Sequence, residues 1–547
     1  MNGEVATHDV LITGARVVDG TGNPWFYGDI VFDGDRIADV TPRGRIDVAT
    51  AREVVHAEGM IVCPGFIDIQ SHSIVPFLTD RRSLSKVTQG VTTEIMGEAW
   101  TPAPFGGRMT QPFPEELLFY RFGAAMDEWN ERARGWSRFG DWLQDLERRG
   151  ISVNVGSFIG GSTVREFAMG YDLGAPVATE LATMRDVLAG AMEDGAFGLA
   201  TALIYPPGAF AATEELVALC EVVAAHQGVH ITHVRSEGDL LLESIDEAIT
   251  IAARSGASTE IYHLKAIGTR NWGKMPQAIA RIEAARAADL DVTADMYPYE
   301  ASATSLASRL PPWASAGGRL YEHLRDAGML ARIGEAMRHP SDEWEPLAVG
   351  PEQVLVAGLM RDEHAAYRGR SLAEIADDRD QDWVDALLDL LAAEGQPIFA
   401  VYFQMSEDNL ALQMQQPWVS FATDAGGMDP AGARREGLQH PRAYGTYPRI
   451  LGRYVRERGT LSMEDAIRKM SSAVADRLFL RDRGLLRRGM FADVVVFDPD
   501  VIADRATYLD PHQFSVGVRE VWVNGTRVLR GGTHTGAMPG RRIAGRG

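Results

Sequence analysis

The chain has 547 residues with 54 Lys and Arg against 75 Asp and Glu, a formal charge of -21, and 45% of it is hydrophobic. At ~150 residues per domain this length calls for one large domain with accessories, and the negative charge repels polyanions, which argues against nucleic acid as a partner. No apolar run approaches the ~18 residues of a membrane span, and MNGEVATHDVLITG lacks the basic, apolar and small-residue series of a secretory signal. The expectation is a cytoplasmic protein with no membrane contact, whose two cysteines, Cys63 and Cys220, are core thiols.

In chain order, residues 1–62 read as short strands with tight turns, DVLITGARVVDG and then DIVFDGDRIADV, where Asp33-Gly34 is a hairpin signal. A matching pattern returns in 479–547, in ADVVVFDPD and REVWVNGTRVL with Asn524-Gly525 as another hairpin turn. Both chain ends are therefore expected to build one small β-sandwich. Across 63–478, apolar runs alternate with helix-like stretches: IVCPGFIDI, GVTTEIMG, ISVNVGSFIGG, AFGLATALI, GVHITHV, EIYHLKA, VTADMY, FAVYFQM and WVSFATDA. Such alternation implies an α/β fold with a parallel sheet. A count near eight predicts a (β/α)8 TIM barrel, shelled by helices such as ELVALCEVVAAH and SMEDAIRKMSS. Nine candidate strands for eight places assign one to an insertion near 306–397, expected to be helical and partly lid-forming.

Metal-competent residues cluster where these runs stop: Gln70 and His72, Glu98, His233 with Arg235, His263 with Lys265, Asp295 with Tyr297, and Asp424. Strand ends of a barrel converge on one mouth, so residues distant in sequence can share a site. A lone histidine is usually structural, but three histidines and two carboxylates after apolar runs are costly to bury unless they pair with one another or with a metal. Asp295 is more simply read as holding a neighbouring loop.

The stretches PGFIDIQSH, TQGVTTEIMGE, THVRSEG, HLKAIGTRNWGK, TADMYPYEAS, TDAGG, HPRAYGTYPR and RGLLRRGMFADVVVFDP span nearly the whole chain. In them the sequence resembles the amidohydrolase superfamily, and more closely its N-acyl-D-amino-acid deacylases. The resemblance implies a barrel beside a β-sandwich, catalytic zinc, and hydrolysis of a linear C–N amide in a small substrate carrying a carboxylate. Three departures bear on the metal. Gln70 stands where the family's H-x-H motif begins, Gly97-Glu98-Ala99 replaces a cysteine-bearing turn, and Gly160-Gly161-Ser162 replaces a Gly-His-Gly turn. The set Gln70, His72, Glu98, His233 and His263 is also similar to that of N-acetylglucosamine-6-phosphate deacetylases, which hold one metal through a glutamate and two histidines. The expectation is one Zn2+ at Glu98, His233 and His263, with Gln70 and His72 holding the reacting water or the substrate carbonyl.

The resemblance further implies that Asp424 moves the proton, that His72 or Tyr205 stabilises the oxyanion, and that Lys265, Ser302 and Arg442 bind the substrate carboxylate. Arg235, two residues past His233, is expected on the same strand face, backing the site. Two other readings stay open. One is hydrolysis of a cyclic or specialised natural-product amide; the other is a metal-free binding relative in which Gln70 and Ala99 mark ligand decay. Monomer and homo-oligomer are equally compatible with the sequence.

Overall fold

The computed structural model describes residues 7–113, 124–341, 344, 347–433 and 437–546; the first six residues, on which the reading of the N-terminus partly rests, lie outside these. The two chain ends do build one β unit. Nine strands, five from His8–Val17 to Ile61–Pro64 and four from Val494–Phe497 to Thr533–His534, are joined by hydrogen bonds into a single sheet. Val494–Phe497 pairs antiparallel with Ile61–Pro64, which is the seam between the ends. The first strand has a bulge between Ile12 and Ala15, at Gly14 with φ +82°. Its early half pairs with Ala51–His56 and its late half with Ile61–Pro64, so one bent strand serves two partners. Asn524 and Gly525 form the two-residue turn expected of them. The other hairpin turn sits one residue later than its signal, at Gly34 and Asp35, because Asp33 still pairs with Arg36.

The middle of the chain holds two all-parallel sheets. One has six strands in the order Val419–Phe421, Val292–Met296, Ser258–Ile261, Val229–His233, Gly198–Ala202 and Ile159–Gly160; the other runs Phe66–Asp68, Val91–Met96 and Asn154–Ser157. They meet twice. Asn154–Ser157 and Ile159–Gly160 are separated by Phe158 alone, and on the far side Ser71 bridges Ala425 in parallel register. Nearly every residue of these strands is buried, as expected of parallel strands covered on both faces. Helices such as Thr213–Ala225 and Leu241–Ser255 run between them and pack their apolar faces into the main core.

FAVYF is the surplus one of the nine apolar runs, and it does not join the parallel sheets. Phe399–Phe403 is the centre of a separate antiparallel sheet, between Ala301–Ser305 and Val354–Gly358. The helical reading of 306–397 is thereby corrected. Helices Ala327–Arg338 and Trp383–Glu394 pack there around a core of their own, but the five-residue run VLVAG forms a strand in their midst.

Candidate active site

Because the parallel strands share one direction, residues just past their C-terminal ends come out on one side. His233 is the last residue of its strand, Glu98 and His263 lie two past theirs, and Asp424 lies three past Phe421. The turns that carry them are tight. A Cβ on Gly97, at φ +107°, would stand 2.2 Å from the Phe158 carbonyl oxygen, so only glycine fits before Glu98. Ala99, His263 and Asp424 adopt φ of +59°, +33° and +49°. Non-glycine residues take this conformation at a cost, which clusters at sites where the surroundings over-determine it.

One ligand atom each from Glu98, His233 and His263 lies within 4.8 Å of the others. Glu98 Oε1 is 3.4 Å from His233 Nδ1 and 3.7 Å from His263 Nε2. Both His233 nitrogens are buried and neither makes a hydrogen bond. Buried imidazole with unused lone pairs, facing a carboxylate and a second imidazole, is the donor set of a three-ligand zinc site, so these residues fit the ion that the resemblance implies. Burial works against charge on Glu98, yet the three surrounding histidines hold its carboxyl well below the usual range. Burial, helped by the charges of His263 and Lys265 and opposed by Glu237 and Glu98, pushes His233 down, towards the neutral form that binds metal.

On the facing side, Asp424 Oδ1 is 2.8 Å from His72 Nε2, and its Oδ2 is 2.7 Å from Arg442 Nη1. Burial opposes the charge of Asp424, but Arg442, His263 and His72 bring its pKa down to about 2. For His72, whose side chain is 43% exposed, desolvation opposes the charge and the carboxylates of Asp424 and Glu98 outweigh it, raising the ring to about 10. His72, Glu98 and Asp424 form a second set of metal-competent atoms that shares Glu98 with the first.

These groups open into a cavity of about 290 Å³ lined also by Tyr205, Lys265, Ser302 and Arg442. Residues 306–397 contribute Arg309, Leu320 and Tyr321 to its lining, beside Thr304 of the preceding strand. Tyr205 pairs its hydroxyl with Thr304 Oγ1 at 2.8 Å, and Ser302 Oγ accepts from Gln404 at 2.7 Å. Asp295 accepts the His263 backbone N–H at 2.8 Å and so holds that turn. Gln70 is not among the residues lining the cavity, and its amide donates to Glu98 Oε2 at 2.5 Å.

Two expectations need correcting. Arg235 does not join the site. Its guanidinium binds Glu247 at 3.0 Å and the carbonyls of Ala209 and Ala211, because strand alternation ends at His233 and no longer governs a residue two further on. Lys265 is not a free cation: its Nζ lies 2.6 Å from Glu237 Oε1 and 2.7 Å from His263 Nδ1. Glu237 was missed in the sequence, although it lies inside THVRSEG. Its carboxylate also stands 3.2 Å from His263 Nδ1 and 3.6 Å from His233 Nε2. Each histidine thus shows one nitrogen to Glu98 and the other to Glu237, and the Lys265 ammonium closes the Glu237 side to a metal cation. Arg309 was missed as well; it lines the cavity and has no carboxylate partner among the described residues.

The model of the amidohydrolase family matches residues 53–529. The chain belongs to this family. It is 33% identical to D-aminoacylase of Alcaligenes xylosoxydans xylosoxydans over 540 residues, which is 98% of this chain and 97% of the relative. Among solved structures it resembles N-acyl-D-glutamate deacylase from Bordetella bronchiseptica, complexed with zinc and a phosphonate mimic of the tetrahedral intermediate. That match has a TM-score of 0.80 and 30% identity, over 98% of this chain and 100% of the other. A D-aminoacylase structure concerned with a binuclear metal centre, with one-metal activation and second-metal attenuation, aligns at a TM-score of 0.81 and 30% identity with the same coverage. No helix among the described residues is long and apolar enough to cross a membrane.

Proposed function

We propose that this amidohydrolase cleaves the linear amide of an N-acyl D-amino acid or a related small amide, using one zinc ion held by Glu98, His233 and His263. The observation that carries the reading is the buried His233 ring, neither of whose nitrogens makes a hydrogen bond, beside Glu98 and His263, facing an ionised Asp424 across the cavity. The fold we infer is a barrel of eight strand places beside a sandwich of the chain ends, with divisions at 1–62, 63–478 and 479–547. The two meeting points between the parallel sheets support this closure. The ion supplies Lewis acidity and positive charge at the scissile carbonyl.

Asp424 is the proton carrier. Its carboxylate is kept ionised by Arg442 and His72, so it takes a proton from the attacking water and delivers it to the departing amine nitrogen, a role worth ~10^2 to 10^4 in rate. His72, held protonated between Asp424 and Glu98, donates to the oxygen on which charge develops, with the Tyr205 hydroxyl at the same wall. The substrate carboxylate is met by Ser302 and by the faces of Arg442 and Lys265 not used by Asp424 and Glu237, with Arg309, which stacks over Tyr402 and has no carboxylate partner among the described residues, as a further cation of the wall. The D preference rests on the relatives. A single tight ion is favoured because at the second set, His72, Glu98 and Asp424, the His72 ring already pairs with Asp424 at 2.8 Å and the Arg442 guanidinium stands 2.7 Å from the Asp424 carboxylate.

Elemental analysis of protein purified without chelator or added metal, followed by a panel of N-acyl D- and L-amino acids, tests both parts. One zinc per chain with hydrolysis of D-substrates is expected. Two ions per chain would overturn the mononuclear reading, and no uptake of metal with no hydrolysis would overturn the enzyme.

A further inference from the structure

Beneath the cavity lies a second ionic cluster to which the chemistry above gives no role. Lys86, on the short helix Leu84–Val87, is 0% exposed, as are Asp68 and Glu94. Its Nζ lies 2.5 Å from Asp68 Oδ2, 2.6 Å from the Ala425 carbonyl oxygen and in hydrogen-bond contact with Thr423 Oγ1. An ammonium has three N–H donors, and all three are used. Two go to the residues on either side of Asp424. Asp68 completes the grip, accepting from the Thr423 N–H at 2.9 Å and from the Thr423 hydroxyl at 2.6 Å. The Ala425 carbonyl that Lys86 holds also accepts the backbone N–H of His72 at 3.1 Å, and the Asp424 N–H donates to the Gln70 carbonyl at 3.0 Å.

Asp424 needs such a frame. At φ +49° it sits in a region that a non-glycine residue occupies only when its neighbours fix it there. Its two oxygens must also meet His72 on one side and Arg442 on the other. Lys86 ties the Asp424 turn to the strand that delivers Gln70 and His72, so the carboxylate and the imidazole move as one piece.

We propose that Lys86 is a positioning residue for the reaction, acting through Asp424 by clamping Thr423 and Ala425 against Asp68. The proposal rests on the reading of Asp424 as the proton carrier. Lys86 is sealed from the cavity and touches neither substrate nor metal ligand, so its loss is expressed in kcat, while KM and metal content stay in place.

The test compares a charge-balanced variant, Lys86→Met with Asp68→Asn, in the wild-type and Asp424→Asn backgrounds, using an N-acyl D-amino acid and the metal-loaded enzyme. In wild type, kcat is expected to fall roughly 10- to 100-fold, the scale of a small misplacement of a reacting group. KM stays within about twofold and zinc per chain is unchanged. In the Asp424→Asn background the same pair changes kcat less than about twofold, because groups that act as a unit are not additive. An equal loss in both backgrounds, or a loss carried by KM or by zinc, would make Lys86 merely structural and overturn the proposal, as would an unchanged kcat. An Asp424→Asn enzyme as fast as wild type would overturn the proton-carrier reading, and the proposal with it. Thr423→Val, which keeps the Lys86–Asp68 pair, carries the same comparison if the double variant does not fold, and Thr423→Ser is expected to restore kcat.

Discussion

The two buried polar clusters, one above the other at the ends of the parallel strands, use their hydrogen-bonding capacity in opposite ways. In the lower one, Lys86 spends every donor, and Glu94 accepts from the hydroxyls of Ser71, Ser73 and Ser83. None of its polar side-chain atoms is buried without a partner. In the upper one, both nitrogens of His233, the Oε1 of Gln70, the hydroxyl of Tyr297 and the Nε of Arg442 are buried with no hydrogen bond. Each unpaired buried polar group costs about 1–3 kcal/mol, and a fold that saturates one cluster could saturate its neighbour. The difference teaches that the upper cluster is arranged for groups that arrive from outside it, whereas the lower one holds its geometry.

The comparison breaks if the upper cluster does not need its cation. Glu98→Ala is expected to abolish tight zinc binding, with a loss of affinity beyond the ~10- to 100-fold typical when a group backing a metal ligand is removed, and hydrolysis should fall with it. Metal content by elemental analysis and kcat/KM on one N-acyl D-amino acid check this. Zinc retained at one per chain with an unchanged rate would take Glu98 out of the ligand set and leave the unpaired His233 nitrogens unexplained.

Glu98 was legible because it follows an apolar run by two residues, and so were His233, His263 and Asp424. Local rules could not supply the pairings between these positions. Nothing in HLK or THVRSEG says that Lys265 is neutralised by Glu237, or that Arg442 is committed to Asp424, because such contacts are made between segments that only the fold brings together. Arg235 failed for the complementary reason: a rule valid inside a strand was carried past its end. The fold was read in the same proportion. Alternation of apolar runs with helices exposed the parallel strands and showed that one run was surplus. The strand Val354–Gly358 inside the insertion was missed because VLVAG is too short to be told from helix by period.

A milder test addresses the groups that back the upper cluster. Glu237 touches the far nitrogens of both histidines and is itself held by Lys265. Glu237→Gln keeps the shape and removes the charge, and zinc affinity is expected to drop about 10- to 100-fold, read by competition with a chromogenic chelator. Stability should change little, because the amide still offers an acceptor to Lys265. If affinity holds and only the melting temperature falls, Glu237 belongs with the saturated frame and the boundary between the clusters has been drawn in the wrong place.

The smallest effect concerns a strained pair outside the cavity. Glu260 is 1% exposed on the Ser258–Ile261 strand and meets Arg477 Nε at 3.0 Å and the Thr293 hydroxyl. Burial raises its pKa to about 6, against the pull of Arg477. A carboxyl raised in the folded state favours folding below its unfolded pKa near 4.5, and that contribution is lost as pH climbs through 6. Glu260→Gln removes the titration. The stability of the wild type relative to this variant is therefore expected to fall between pH 4.5 and pH 6 by about 2 kcal/mol at most, since one pKa unit is worth about 1.4 kcal/mol, and to stay flat above pH 7. Urea midpoints for both proteins across this range measure it. Parallel curves would show that Arg477 fully compensates Glu260. Glu260 would then belong with the compensated frame, which would sharpen the contrast between the two clusters.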